Sequence, residues 1–319
     1  MRRLRVLVCG SNYGQAYVRA LVREPRHYEL AGILARGSAD SQRLSALNLV
    51  PLFRSTEELS DNIDLACAAM SSSAWPVVLS LLRRNIHVLC EHPCASKPLK
   101  DAIILARMHG VQFHVNGHFA NLPGPAAFIR SCQKACESAR PELVEVLATE
   151  RSLYATLDIL LAAVKKSQHL RVQVLSRKAR FLLLEGTLGK TCVRVSVQES
   201  GKNLKHRLPD GSPDYLVDQR ITVIFPTGVL TLCSTAGPVL WNRTGAYAAR
   251  HDQLLVTMIS QHDPKTVDDL ADQRVQANVG ALNAIRQCIL GLELPPAQRP
   301  EHILSVSRAW EAIGRELYA

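Results

Sequence analysis

The sequence predicts an α/β protein in two parts: an N-terminal doubly wound parallel sheet, then a C-terminal α+β domain on a mostly antiparallel, open sheet. Three observations carry this reading. Up to residue 122, short apolar runs alternate with segments of helical period, the pattern of βαβ units. The turns ending those runs hold glycine, serine, arginine, glutamate and histidine, and a parallel sheet gathers such turns at its carboxyl edge. From Leu143 the texture changes to strand-like runs, two pairs of them joined by short Gly-containing turns. The 319 residues therefore divide into 1–122 and 123–319, with the closing helices free to pack back on the first domain.

Leu4 to Cys9 is the first strand. Gly10-Ser11-Asn12-Tyr13-Gly14 follows, and Gln15 to Arg23 has helical period. Strand, glycine turn and helix together resemble a dinucleotide fingerprint of the Rossmann type, because free N–H groups at a helix N-terminus favour a pyrophosphate. The match is partial: Asn12 and Gln15 stand where the second and third glycines belong, and a purely structural turn is the alternative. The second strand, Glu29 to Ala35, ends in Arg36-Gly37-Ser38, with Arg43 beyond. An NAD site places an acid there for the ribose 2′-OH. A cation and a hydroxyl suit a 2′-phosphate instead, which points to NADPH; a solvated arginine is the alternative.

The alternation continues. Pro51 to Phe53 is a short strand, Thr56 to Leu59 a helical turn, and Ile63 to Met70 a buried strand ending in Ser71-Ser72-Ser73. Trp75 to Arg84 reads as a helix. Ile86 to Cys90 is the fifth strand, which should stop near Glu91 because Pro93 cannot donate to a sheet ladder. Lys97 to His109 is a helix, and Val111 to Asn116 a strand leading into Gly117-His118-Phe119. The turns at Gly10–Gly14, Arg36–Ser38, Ser71–Ser73, Glu91–Cys94 and Asn116–Phe119 then line one crevice.

Pro123 to Ser138 reads as a helix leaving the first domain. Strands follow at Leu143–Ala148, Arg171–Ser176, Phe181–Gly186, Thr191–Gln198, Ile221–Phe225 and Val229–Cys233, interrupted by a helix at Tyr154–Val164. Gly201 to Asp214 is polar and rich in Pro and Gly, a mobile loop by composition. Val267–Leu290 and His302–Leu317 are closing helices.

Composition narrows the partners. Apolar residues are 47% and charged residues 21%, an ordinary globular mix. The net charge of +10 is scattered, with no dense basic block and no interleaved aromatic series, which argues against nucleic acid. It leaves an anionic cofactor or an acidic partner, or simple solubility. Nine cysteines at irregular spacings read as reduced thiols in a cytoplasmic protein. The apolar run after Met1-Arg-Arg-Leu-Arg5 ends at Gly10, too short for a signal sequence, and no stretch approaches a membrane span.

A nucleotide domain followed by an open β-rich domain resembles the glucose–fructose oxidoreductase and inositol dehydrogenase (Gfo/Idh/MocA) superfamily. That superfamily carries Glu-Lys-Pro where this chain has Glu91-His92-Pro93. Its sugar enzymes use that lysine and a downstream Asp-x-x-x-His; here Asp158 is followed by Ala162. The Glu-His-Pro form resembles one branch, the thiazolinyl imine reductases of siderophore assembly, of the yersiniabactin and pyochelin type. Further likeness lies in Gly10-x-x-Tyr13-Gly14 with Tyr17, Leu34 to Ser38, Val88 to Pro93, Val115-Asn116, Arg151 to Ile159, and Gly237-Pro238-Val239 with Trp241. The resemblance implies NADPH-dependent reduction of a thiazoline C=N to a thiazolidine. It also implies a substrate tethered through phosphopantetheine to a carrier domain of a nonribosomal peptide synthetase. In one respect the chain departs from the branch: a tyrosine proposed as an acid is replaced by Phe119, with His118 before it.

Reducing C=N needs a hydride at carbon and a proton at nitrogen, and an imidazolium suits the proton step near neutral pH. His92 is the first candidate acid and His118 the second, with water the remaining source; a structural histidine is the alternative reading of His92. Glu91 is placed with the cofactor and keeps His92 charged, and Gly10, Ser11, Asn12, Tyr13, Gly14, Arg36, Gly37, Ser38 and Ser71 are the other cofactor candidates. Phe119, Tyr154 and Trp241 read either as walls of the substrate pocket or as core packing. Cys90-x-His92-x-Cys94 has zinc-like spacing, but Pro93 breaks it and no fourth ligand is evident, so no metal is expected. The open sheet points to a homodimer. Competing readings are a sugar or other carbonyl oxidoreductase, and an NADP-binding regulator or scaffold that has lost catalysis, for which Phe119 speaks.

Overall fold

A computed structural model describes residues 2–70, 75–164, 169–199, 218–251, 254–260 and 263–318. Ser71 and the loop Gly201–Asp214 lie outside the described residues. The chain divides into two compact units: Met1–His118 with Ala271–Leu304, and Phe119–Leu270 with Ser305–Ala319.

The first unit is a six-stranded parallel sheet in the order β3-β2-β1-β4-β5-β6. Its strands are β1 (Leu4–Cys9), β2 (Tyr28–Leu34), β3 (Leu52–Phe53), β4 (Leu65–Ala68), β5 (His87–Glu91) and β6 (Phe113–Asn116). Helices α1 (Gly14–Arg23), α2 (Ala39–Leu47), α3 (Trp75–Arg83) and α4 (Ser96–Met108) connect them. The run Val6–Cys9 is completely buried, as a strand covered on both faces must be. Strand order reverses between β1 and β4, so the carboxyl ends of these strands flank a switch-point crevice. One long helix from the C-terminal part, α8 (Val267–Ile289), closes this unit. Its Val275, Val279, Leu282 and Ile285 join the core of Val6, Val8, Tyr17 and Leu65.

The second unit is an eight-stranded sheet in the order β14-β13-β12-β11-β7-β10-β9-β8. The strands are β7 (Leu143–Thr149), β8 (Leu170–Lys178), β9 (Phe181–Leu188), β10 (Thr191–Gln198), β11 (Gln219–Phe225), β12 (Gly228–Leu232), β13 (Val239–Arg243) and β14 (Val256–Met258). All pairs are antiparallel except β7 with β10. Side chains alternate: Val144 and Val146 are buried, while Leu143, Glu145 and Leu147 face outward. Helices α5 (Pro123–Ser138) and α6 (Leu153–Ala163) pack on the inner face, and α9 (Pro300–Tyr318) meets α6 where Trp310 packs on Tyr154. The short helix α7 (Gly245–His251) and strands β13 and β14 go beyond the sequence reading. All nine cysteines are free thiols, six of them buried. Among the described residues, no helix is long and apolar enough to cross a membrane.

Candidate active site

At the β5–β6 end of the parallel sheet, Glu91 closes β5 and pairs in register with Asn116, the last residue of β6. The strand stops there, ahead of Pro93, as the missing N–H requires. Glu91 Oε1 lies 3.1 Å from His92 Nδ1 and 3.7 Å from His118 Nδ1. The two imidazole rings are 5.7 Å apart between centroids. On its other side, Glu91 Oε2 accepts from the Tyr17 hydroxyl at 2.6 Å and from Asn116 Nδ2 at 3.1 Å. Asn116 Nδ2 also reaches the Tyr17 oxygen at 2.6 Å and Asn278 Oδ1 at 2.8 Å. The carboxylate side chain is only 9% exposed, so these contacts replace water almost entirely.

The electrostatics follow from that burial. Desolvation alone would push the Glu91 carboxyl up; the hydrogen bond and charge of His92, the charge of His118 and the Tyr17 hydroxyl outweigh it and hold it below the usual carboxylate range. Burial and the Glu91 charge push Tyr17 up, so it stays a phenol and donates. His92 Nδ1 faces two acceptors, Glu91 Oε1 and the Asn116 carbonyl oxygen at 2.8 Å. Two acceptors on one nitrogen fix the proton there, so His92 gains and loses its second proton at Nε2.

Glu91, His92 and His118 place ligand atoms within 4.8 Å of one another, a set that a metal could occupy by distance. The donor chemistry does not favour one: Nδ1 of His92 carries the proton it gives to two oxygens, and a metal needs that lone pair. Cys90 and Cys94 do not join the set, since both thiols point to the Glu91 carbonyl oxygen. The hydrogen bond with Cys90, then burial, raise the Cys94 pKa and keep it a thiol.

The β1–α1 turn lies at the switch point. Gly10 has φ +97°, and a Cβ there would sit 2.3 Å from the Ala69 carbonyl oxygen, so the turn runs against the end of β4 as only glycine can. Helix α1 begins at Gly14, with no acid in its first turn and no side-chain cap from Tyr13. Its first N–H groups and positive dipole end therefore suit a pyrophosphate, and the residues fit a dinucleotide. At the end of β2, Arg36, Gly37 and Ser38 form the next turn. Ser38 Oγ caps α2 by accepting from Ser41 N–H at 3.3 Å, so its hydroxyl has a structural duty first.

Other candidates fall in the second unit. Phe119 follows His118 in a short 3-10 turn, His118–Asn121, and is half-buried. Tyr154 is 4% exposed and packs edge-on against Trp310 at 6.0 Å, so substrate contact would require leaving that packing. Trp241 is half-buried and stacks on Phe225 at 5.8 Å. The sequence reading omitted Tyr17, Asn116 and Asn278 from the site. Tyr17 and Asn116 stand in its motifs, whereas Asn278 carries no local signal.

Residues 4–117 match the model of an oxidoreductase family with an NAD-binding Rossmann fold, Gfo/Idh/MocA. Residues 139–242 match the model of the C-terminal domain of thiazolinyl imine reductase, Irp3-like. No curated protein matches the chain. Among solved structures, the WlbA dehydrogenase from Bordetella pertussis in complex with NADH and UDP-GlcNAcA aligns with a TM-score of 0.72 at 14% identity, over 99% of this chain and 96% of that one. GenD2 from gentamicin A biosynthesis, in complex with NAD, aligns at 0.71 and 15% identity, over 100% and 95%. An Agrobacterium radiobacter oxidoreductase in complex with NAD+, L-tartaric acid and magnesium aligns at 0.71 and 12% identity, over 99% and 97%. At these identities the likeness is one of fold.

Proposed function

The chain belongs to the Gfo/Idh/MocA oxidoreductases and carries an Irp3-like thiazolinyl imine reductase C-terminal domain; from that premise we propose that it reduces a thiazoline C=N to a thiazolidine with NADPH. The substrate in this proposal is a siderophore intermediate tethered through phosphopantetheine to a carrier domain of a nonribosomal peptide synthetase. The observation that carries the reading is the Glu91-held His92 at the sheet's carboxyl edge, where the sugar enzymes it resembles would use a lysine.

Bound on the β1–α1 turn, the dinucleotide would supply the hydride taken up by the imine carbon. The chain's own residues handle the proton. His92, held at Nδ1 by Glu91 and the Asn116 carbonyl, gives its Nε2 proton to the ring nitrogen, so that C=N becomes CH–NH. Glu91 stabilises the imidazolium before transfer, and Tyr17 and Asn116 keep that carboxylate ionised and aimed. His118, next to the same carboxylate oxygen, is the second proton donor in this account. Phe119 and Trp241 are the side chains proposed to contact substrate, Phe119 by packing alone. Arg36 and Ser38 support NADPH over NADH, and the scattered positive charge suits an acidic carrier domain. The outward face of the second sheet, with Leu143, Leu147 and Ile224, is proposed as a homodimer contact.

The experiment is direct. The protein is given NADPH and a thiazolinyl thioester on a phosphopantetheinylated carrier domain, and the released product is weighed by mass spectrometry. A product heavier by two hydrogens, with one NADPH consumed, is expected. NADPH formation from NADP+ and free polyols, without thiazoline turnover, would make it a sugar dehydrogenase instead. Tight NADPH binding with no consumption would make it a binding protein.

A further inference from the structure

Strand β3 is only Leu52–Phe53, and its register sets what comes next to the β2 turn. Ile33 pairs with Leu52 and Leu34 with Phe53, and Ala35 N–H donates to the Phe53 carbonyl at 3.0 Å. The residue that follows, Arg54, is thereby delivered beside Arg36-Gly37-Ser38. Its guanidinium lies over Gly37: a Cβ on that glycine would be 3.4 Å from Arg54 Nε and 3.5 Å from Nη2. Gly37 has φ +88°, and its carbonyl is stapled by Gln42 Nε2 at 3.1 Å, so the surface under the guanidinium is set before any ligand arrives.

Two of the nearby acids are engaged elsewhere. Glu58 Oε2 accepts from the backbone N–H of Arg54 at 2.8 Å, not from its guanidinium. Glu57 accepts from Thr56 Oγ1 at 3.1 Å. Asp40 stands in the first turn of α2. Among the described residues no carboxylate forms an ion pair with Arg36, Arg43 or Arg54, although Arg5, Arg23 and Arg84 of the same unit all have one. A turn that gathers guanidinium groups and leaves them without counter-charge is built to take an anion from solution.

We propose that Arg54 is a specificity-determining residue: with Arg36 it clamps the 2′-phosphate of the cofactor, so the choice of NADPH over NADH is made by the ends of two strands. This rests on the NADPH reading above. The probes are 2′,5′-ADP and 5′-ADP, titrated calorimetrically into the full-length wild type, Arg54→Ala, Arg54→Lys and Arg36→Ala, so that no turnover is needed. Wild type should bind 2′,5′-ADP more tightly. Arg54→Ala should weaken 2′,5′-ADP by about five- to twentyfold, the scale of one charge-assisted pair at a partly exposed site, and leave 5′-ADP unchanged. Arg54→Lys should recover part of the loss, as a point charge without the planar fork does. If Arg54→Ala weakens both nucleotides equally, the guanidinium stacks on adenine and the proposal is overturned. It is equally overturned if only Arg36→Ala loses the preference. A wild type that binds both probes alike, with Arg36→Ala inert, defeats the NADPH reading itself.

Discussion

At the β5–β6 end of the parallel sheet, Glu91 is nearly sealed from water, and Tyr17, His92, Asn116 and His118 crowd around its two oxygens. At the β2–β3 end of the same edge, Arg36 and Arg54 stand exposed, and among the described residues no carboxylate pairs with either. Both ends present charge, but one has its partners built in and the other waits for them. A group that must move a proton gains from a fixed, desolvated setting, because nothing has to reorganise when charge shifts. A group that must capture a diffusing anion gains from exposure and from neighbours already engaged elsewhere. Under the proposed function, the contrast separates a region for chemistry from a region for recognition.

The sharpest way to break that division is at the buried end. His92→Ala should lower the rate of imine reduction by about ten- to a thousandfold, as loss of a general acid does, with NADPH affinity nearly unchanged. Steady-state kinetics beside a cofactor titration separates the two effects. If NADPH affinity falls as far as the rate, the division between the ends fails.

The buried end should also make the fold sensitive to acid. On β6, burial and the neighbouring His87 push His114 down to about 4 from its ordinary 6.5. Its Nε2 has no hydrogen-bond partner among the described residues. Below pH 6.5 the unfolded chain takes up a proton that the folded one refuses until about pH 4. Stability therefore falls as pH drops through that window, by up to about 3 kcal/mol from this residue. Urea unfolding at a series of pH values should show that slope, and His114→Gln should flatten it. At the exposed end, Arg36→Ala should instead weaken NADPH by about five- to tenfold and spare NADH, read by fluorescence titration and diminished at high salt. Smallest of all, Phe119→Tyr should leave the rate unchanged or raise it slightly, since in the proposed mechanism His92 supplies the proton; a large gain would show that the buried end is incomplete.

Legibility in the sequence followed the same division. The strands of the first sheet could be read because each is a short apolar run closed by a polar turn, and Pro93 marked where β5 must stop. Glu91 and His92 were therefore visible as candidate-site residues. Asn278 was not: it is brought to Asn116 by the packing of α8 on the sheet, a contact across 162 positions that no local pattern encodes. Arg54 was hidden for a related reason, because only the β2–β3 register sets it beside Gly37. In the second sheet, β8 runs on to Lys178 and turns at Ala179–Arg180 without glycine, with Ala179 at φ +52°, so no turn residue announced the hairpin. Strands β13 and β14 are short, β14 lies at the sheet edge, and Asn242 and Arg243 interrupt the apolar alternation of β13.

The central claim is that a Glu91-stabilised imidazolium at His92 delivers the proton to the imine nitrogen. The most direct measurement is the pH dependence of single-turnover reduction of the carrier-bound thiazoline, in wild type and in Glu91→Gln, from about pH 6 to 9. The account predicts that the wild-type rate falls as pH rises through the titration of His92. In Glu91→Gln that fall should move to lower pH, because the carboxylate that favours the charged ring is gone. A wild-type rate independent of pH over this range, or a fall left in place by Glu91→Gln, would contradict it.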